Sequence, residues 1–126
     1  MKAVLDTSVL IATDLPELPG ELAISAASLA ELHFGVLVTT DAAIRAERLR
    51  RLSELQRTFD ALPIDGDVAV SYGQLAAAVA AVGRRPRSRV IDLLIAATAH
   101  ANAAQLYTRN ATDLIGIEDL VEIVPV

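Results

Sequence analysis

The chain has 126 residues, 53% of them hydrophobic, and carries a net charge of −5 at pH 7. This length predicts a single domain over residues 1–126. The apolar fraction is too high for a disordered chain, because enough surface can be buried to offset the entropy of ordering. The absence of cysteine excludes disulfides and thiolate zinc sites. The uncharged stretches 68–83 and 93–108 are too short to span a membrane, and no secretory signal pattern opens the chain, so we expect a cytoplasmic protein.

The first half of the sequence alternates short apolar runs with helical patterns. Thr7 and Ser8 are predicted to cap the first helix, because their side-chain oxygens can accept a backbone N–H bond. The next helix has two possible starts: Ser25, or Ser28, from which Glu31 would form a capping box. The predicted elements are a strand over 2–5, a short helix over 9–12, a strand over 22–24, and helices over 25–40 and 41–59.

The second half continues the alternation. Pro63 favours an edge position for its strand, and Ser88 is predicted to cap a following helix that is apolar nearly all round and therefore buried. The predicted elements are a strand over 61–64, a helix over 68–82, a loop over 83–88, a helix over 89–103, and strands over 106–108 and 121–124. This alternation predicts an α/β fold whose parallel sheet is covered on both faces. In such sheets ligands bind at the carboxyl ends of the strands.

Two carboxylates lie where predicted strands meet helices. Asp6 follows the first strand, a favoured place for a functional group but also for a turn or capping residue. Glu31 is explained by capping if its helix starts at Ser28, but not if the helix starts at Ser25. Each of these acids therefore has an ordinary structural interpretation when it is considered by itself.

Two more carboxylates lie in the second half. Asp92 is the only charged residue between Val90 and Tyr107. Because a buried carboxylate without a partner is costly, Asp92 must be paired with an arginine, protonated or bound to a cation. Asp113 lies in the polar loop after the fourth predicted strand. The side chains of Thr108 and Asn110 could orient Asp113, or a metal-bound water, through hydrogen bonds.

Together, the four acids predict a metal site. Asp6, Glu31 and Asp113 fall where strand ends meet helices or loops, and Asp92 lies on the helix that leads into the fourth strand. Several carboxylates in one place repel one another, and cations offset that repulsion. Oxygen ligands without cysteine select Mg²⁺ or Mn²⁺ over zinc. Such a cation polarises a phosphoryl oxygen and lowers the pKa of bound water, which is the chemistry of phosphodiester hydrolysis.

Basic residues are concentrated in two places despite the negative net charge. Nine of the 11 Lys and Arg residues lie in two clusters, and all nine are arginines, the side chain whose planar fork suits phosphate best. Either cluster by itself is ordinarily a solvated surface. The first cluster lies within 45–57, and the second consists of Arg84, Arg85, Arg87 and Arg89.

The segments around the four acids, in their order and spacing, resemble the successive motifs of PIN-domain ribonucleases, most of all the VapC toxins of VapBC toxin–antitoxin pairs. These segments are 5–11 (LDTSVLI), 28–32 (SLAEL), 92–99 (DLLIAATA) and 108–113 (TRNATD). The resemblance covers essentially the whole chain. It implies a three-layer α/β/α domain with a short parallel sheet of four to five strands, metal-dependent cleavage of RNA, homodimers, and neutralisation by a small VapB-like antitoxin.

The resemblance also assigns roles to particular residues. Asp6, Glu31 and Asp92 match the acidic triad, Asp113 matches a fourth acid, and Thr7 and Ser8 match the hydroxyls beside the first aspartate. Two positions depart from the pattern: Asn110 stands where many members have an acid, and Leu114 where an aromatic residue is common. The resemblance makes the second arginine cluster a contact to RNA or to the antitoxin. The alternative function is a non-catalytic PIN-like module that binds RNA or protein.

Overall fold

The strands are short and apolar, as expected for strands that are covered on both faces. The structure is a computed structural model that describes residues 1–126. Its strands are β1 (Lys2–Leu5), β2 (Glu21–Ser25), β3 (Ala61–Leu62), β4 (Gln105–Thr108) and β5 (Ile123–Pro125). They form one parallel sheet in the order β3-β2-β1-β4-β5. The predicted parallel α/β sheet is confirmed, and the strand next to Pro63 lies at its edge.

Five helices connect the strands. They are α1 (Thr7–Leu10), α2 (Ala26–Leu37), α3 (Ala42–Thr58), α4 (Gly66–Ala81) and α5 (Val90–Ala101). Two short 3-10 turns, Pro86–Arg89 and Ala111–Leu114, precede α5 and follow β4. None of the helices combines the length and the apolar character that a membrane span requires.

Alternate residues of β1 face two separate apolar clusters, one on each side of the sheet. Val4 packs into a cluster that includes Leu75 of α4 and Leu93 of α5. Leu5 packs into the other cluster, to which Leu29 of α2 and Leu55 of α3 are adjacent. Successive strand side chains point to opposite faces, so this division gives the predicted three layers. The prediction that the helix after residue 89 is buried is confirmed by α5 and its largely buried side chains.

The ends of three elements differ from the prediction. Asp6, and not Thr7 or Ser8, is the N-cap of α1, because its Oδ1 accepts a bond from the backbone N–H of Thr7 at 2.9 Å. Ser88 does not cap α5, because it lies in the 3-10 turn and Arg89 takes the N-cap position without a side-chain hydrogen bond. The last strand begins later than predicted, since a backbone bond from Val121 to the Ile117 carbonyl closes a turn there.

The start of α2 decides between the two interpretations of Glu31. Ser25 is the N-cap, and its Oγ accepts a bond from the backbone N–H of Ala27 at 3.1 Å. Glu31 therefore lies inside the helix and does not cap it. Ser28 lies three residues before Glu31, so both side chains lie on neighbouring positions of one helix face.

The sheet order explains where a site forms. After β1 the chain passes to β2 on one side, while β4 pairs with β1 on the other side. A crevice therefore opens at the carboxyl ends of β1 and β4, where the strand order changes direction. Asp6 directly follows β1, and the segment after Thr108 leaves β4 at the same edge.

Arg51 of α3 forms hydrogen bonds with the last residue of α1 and with the segment that follows it. Its guanidinium donates to the carbonyl oxygens of Leu10 at 2.8 Å and Ala12 at 3.1 Å. These carbonyls lie at the carboxyl end of a helix of only four residues, which has little stability of its own. Contacts from α3 therefore help to hold α1 in place.

Replacement of Arg51 by Met should destabilise the protein, because both hydrogen bonds from a charged donor are lost. The expected decrease in the free energy of unfolding is about 1–3 kcal/mol, measured by urea denaturation. Arg45→Met is the matched control, since Arg45 is exposed on the same helix and its side chain makes no hydrogen bond or ion pair. The free energy of unfolding of this control should stay within about 0.5 kcal/mol of that of the original chain. Equal losses in the two variants would contradict the role given to Arg51.

Candidate active site

Asp6 is held rigidly at the end of β1. Its Oδ1 accepts from the backbone N–H of Thr7, and its Oδ2 accepts from the hydroxyls of Ser8 and Thr108, both at 2.8 Å. The residue is only 8% exposed, and its own backbone N–H donates to the Tyr107 carbonyl at 2.9 Å. Three hydrogen bonds therefore fix the orientation of the Asp6 carboxylate, and both of its oxygens have partners within the chain.

Glu31 is brought to the same edge by α2. Its Oε1 accepts from the Thr7 hydroxyl at 2.6 Å, and Ser28 Oγ lies 3.1 Å from the same hydroxyl oxygen. Thr7 thus links the first and second acids, because its backbone N–H donates to Asp6 and its side chain donates to Glu31. The sequence offered Ser28 only as a possible helix start and did not indicate its contact with Thr7. Its spacing of three residues before Glu31 on one helix was the signal that could have placed it at the site.

Asp92 is half-buried in the first turn of α5, and its carboxylate has no hydrogen bond or ion pair. Its pKa is raised above the ordinary value by burial and then by the negative charges of Asp6, Glu31 and Asp113, while the charge of Arg89 acts in the opposite direction. The three other acids are therefore close enough to repel it. The expectation that the four carboxylates gather in one place is consistent with this electrostatic coupling.

Asp113, and not Asp92, is the acid of the cluster that pairs with an arginine. Arg89 Nη2 lies 3.2 Å from Asp113 Oδ1. Asp92, by contrast, lies in the first turn of the helix that begins beside Arg89 but has no arginine partner. The structural interpretation of Asp92 as half of an ion pair is therefore wrong, and the charge of Arg89 offsets its own only in part.

The end of β4 and the residues after it contribute through the Thr108 hydroxyl and through backbone N–H groups. Thr108 Oγ1 donates to Asp6 and accepts from the backbone N–H of Asn110 at 3.0 Å. The Asn110 side chain is exposed and makes no hydrogen bond, so it does not orient Asp113 in this structure. Ser8 accepts from the backbone N–H of Arg109 at 3.0 Å, which ties the loop to α1.

The donor set fits a hard divalent cation in its chemistry. All four acids supply oxygen, and the Asp92 carboxylate makes no hydrogen bond or ion pair within the chain. No three acidic or histidine side chains are arranged so that they could hold a metal ion as they stand. Two of the four acids are engaged elsewhere, Glu31 with Thr7 and Asp113 with Arg89. Cation binding would therefore require at least one of these side chains to change partners.

The second arginine cluster lies next to the acids. A cleft of about 280 Å³ is lined by Arg84, Arg85 and Arg89 together with Asp113. Arg84 donates to the Thr112 carbonyl at 3.1 Å, whereas Arg85 and Arg87 are exposed and unpaired. Guanidinium groups are thus available at the edge of the acidic site.

The two histidines lie outside this arrangement. His100 Nδ1 is 2.7 Å from the Ser71 hydroxyl, on the other end of α5 from Asp92. His33 is exposed and has no hydrogen bond. The histidines therefore do not form an acid–base pair of the kind that a metal-free ribonuclease requires.

Asp92→Asn should stabilise the metal-free protein, because it removes the uncompensated charge. The folded pKa of Asp92 is raised from 3.8, so the folded chain binds this proton more tightly than the unfolded chain. Stability should therefore fall as pH rises through that raised pKa and then level off, and the variant should show a smaller fall. At neutral pH in the presence of a chelator, we expect the melting temperature to rise by a few degrees.

Asp60→Asn is the control for this experiment, because Asp60 is exposed and its carboxylate makes no hydrogen bond or ion pair. Its melting temperature should match that of the original chain across the same pH range. An Asp92→Asn variant that melts at the same or a lower temperature than the original chain would show that the charge of Asp92 does not destabilise the folded protein.

Comparison with known proteins agrees with this geometry. Residues 3–114 match the PIN domain family. Ribonuclease VapC5 of Mycobacterium tuberculosis is 40% identical over 113 residues, which are 85% of this chain and 82% of that protein. Ribonuclease VapC8 of the same species is 39% identical over 99 residues, which are 75% of this chain and 88% of that protein.

A solved structure gives the same result for the fold. The crystal structure of VapBC-5 from Mycobacterium tuberculosis, a member of the VapBC family of toxin–antitoxin systems, matches with a TM-score of 0.83 and 38% identity. The match covers 99% of this chain and 98% of that one. The chain therefore belongs to the PIN-domain family and, within it, to the VapC ribonucleases.

Proposed function

We propose that this protein is a metal-dependent endoribonuclease that hydrolyses RNA phosphodiester bonds and acts as the toxin of a type II toxin–antitoxin pair. The observation that carries the proposal is Asp92, a half-buried carboxylate with no partner, repelled by three other acids at the carboxyl edge of the sheet. Such an arrangement is costly unless a cation offsets it. With an RNA substrate, we expect the protein to act in the cytoplasm.

The acids have different tasks in this mechanism. Asp6, Asp92 and Asp113 would hold Mg²⁺ or Mn²⁺, with Glu31 as a further ligand or as the group that orients the attacking water. Such a cation stabilises charge on the phosphoryl group and makes water a better nucleophile. Glu31 is the acid whose carboxylate can accept a proton from that water, because Thr7 fixes one of its oxygens and leaves the other free.

Three hydroxyl groups act as positioning groups. Ser8 and Thr108 donate to the same oxygen of Asp6, and Thr7 donates to Glu31. Because these bonds restrain both carboxylates before any ligand arrives, less entropy is lost when the site binds its cation and substrate.

The second arginine cluster is proposed to hold the RNA backbone. Arg84, Arg85 and Arg89 line a cleft with Asp113, and Arg87 lines the adjoining surface, so the cluster can offset the repulsion of phosphate by the acids. Guanidinium groups bind phosphate oxygens in a bidentate manner and carry no sequence information of their own. This surface therefore contributes affinity, and binding that depends on it should weaken as the salt concentration rises.

A second surface is proposed to bind the antitoxin. A groove of about 420 Å³ between α1, α2 and α3 is lined by Leu32, Val36 and Leu55 and reaches Thr7 and Glu31 of the site. Ile11 lines the same groove and is 59% exposed. The matched VapBC-5 structure belongs to a toxin–antitoxin family. An apolar antitoxin segment in this groove would cover exposed hydrophobic surface and also obstruct the acids.

Cleavage of RNA should depend on metal and on the acids. Asp6→Asn and Asp92→Asn should each lower the cleavage rate by roughly 100-fold or more with Mg²⁺ or Mn²⁺ present, because each removes a ligand charge. A chelator should abolish cleavage by the original chain. The assay follows the products of a pool of single-stranded and hairpin RNA oligonucleotides on denaturing gels.

Asp60→Asn again serves as the control and should cleave at the original rate. Cleavage that continues in the presence of the chelator would rule out the metal mechanism. A chain that binds the oligonucleotides but cleaves none of them with either metal would support the alternative, a non-catalytic binding module.

Ile11→Ser should weaken antitoxin binding by about tenfold or more, because an exposed apolar contact in the groove is lost. The partner to test is the product of a small antitoxin-like reading frame next to the gene, and the measurement is titration calorimetry. Val70→Ser is the control, since Val70 is 64% exposed on α4, away from the groove. Equal weakening of antitoxin binding by both variants would show that the groove is not the antitoxin-binding surface.

Formation of homodimers stays a prediction, which analytical ultracentrifugation checks.

A further inference from the structure

We propose that Arg89 is a built-in competitor of the divalent cation: it holds Asp113 in the metal-free protein and thereby sets how tightly the site binds metal. The inference rests on the proposed function, because it concerns the same acidic site. It assigns to Arg89 a positioning task that is separate from contact with RNA.

The first observation is which acid Arg89 pairs with. The chain has four ion pairs, and the acids of the other three are Glu47, Glu54 and Asp14, whose side chains are 63%, 50% and 74% exposed. Asp113 is 32% exposed, so it is the most buried acid among them. It is also the only one that belongs to the four-acid cluster. The pair is therefore more shielded from water and salt than the surface pairs.

The second observation is that arginine is a poor choice for the position that Arg89 occupies. Arg89 is the N-cap of α5, where its side chain caps no backbone N–H. A positive charge is unfavourable at a helix N-terminus, because the helix dipole is positive there. Ser88, a good capping residue, lies one position earlier in the 3-10 turn and is not used as a cap. Helix stability thus does not account for Arg89, whereas the contact with Asp113 does.

The third observation is the relation of Arg89 to Asp92. The two residues are three apart in the chain, at the start of the same helix, and Asp113 approaches this helix start from the loop after β4. Arg89 therefore brings one positive charge to the part of the site where Asp92 and Asp113 lie. A divalent cation that binds Asp113 Oδ1 competes with the guanidinium for that oxygen and is repelled by its positive charge, so the ion pair lowers the apparent metal affinity.

The test measures Mn²⁺ binding without RNA by titration calorimetry. Arg89→Gln should bind Mn²⁺ about three- to tenfold more tightly than the original chain, because the competitor is gone. Arg85→Gln is the matched control: Arg85 lines the same cleft and the variant loses the same charge, but Arg85 has no ion pair. Its Mn²⁺ affinity should change by less than about twofold, since only the long-range field is altered.

A double-variant cycle separates the ion pair from a general effect of charge. In an Asp113→Asn background, Arg89→Gln should no longer tighten Mn²⁺ binding, because there is no ion pair left to remove. In chelator, Arg89→Gln should also lower the melting temperature of the otherwise unchanged chain, since Asp113 loses its ion-pair partner. A purely structural role would give this lower melting temperature without tighter Mn²⁺ binding.

The outcomes distinguish this inference from the proposed function. If the original chain binds Mn²⁺ and cleaves RNA, but Arg89→Gln binds Mn²⁺ no more tightly, Arg89 is not a competitor and the nuclease proposal stands. Equal tightening by Arg89→Gln and Arg85→Gln, or tightening that persists in the Asp113→Asn background, would also overturn the inference. If the original chain binds no Mn²⁺ and cleaves no RNA, both proposals fail together.

Discussion

Repulsion among four carboxylates at the carboxyl ends of β1 and β4 is the constraint on which the site depends. The chain relieves it differently at each acid. Asp6 receives three hydrogen bonds, Glu31 receives one from Thr7, and Asp113 is paired with Arg89. Asp92 receives nothing, and its pKa is raised by burial and by the other three charges. The Asp92 carboxylate is therefore free to bind a ligand, while hydrogen bonds or an ion pair already restrain the other three.

The fold supplies the rigidity that this arrangement needs. β1 is central in the sheet and its apolar residues are almost fully buried, so the residue that follows it has a fixed position. α1 is too short to be stable by itself, and Arg51 of α3 fixes its carboxyl end. α5 is buried along most of its length and delivers Asp92 from the opposite layer. The end of β1, α1 and α5 thus meet at one edge of the sheet, and a small displacement of any of these elements would move the acids apart.

The sequence was sufficient to predict the parallel α/β fold and which acids to examine, because periodicity, turn residues and an isolated charge such as Asp92 are local signals. It was not sufficient to predict partners. An arginine was one of the partners considered for Asp92, yet Arg89 pairs with Asp113, and only the course of the loop after β4 determines that choice. Ser28 and Arg51 were missed for the same reason, since their contacts join helices that are distant in the chain. The cap of α1 was assigned one residue late, because several neighbouring residues were equally good candidates.

The bond between Thr108 and Asp6 joins residues that are 102 positions apart, and β4 pairs directly with β1. During translation the first acid therefore emerges long before the strand that orients it. A chain synthesised only as far as α4 lacks β4, so Asp6 then has neither the hydrogen bond from Thr108 nor the strand that pairs with β1 on that side. The order of the strands therefore makes the final surroundings of Asp6 depend on synthesis of the last third of the protein.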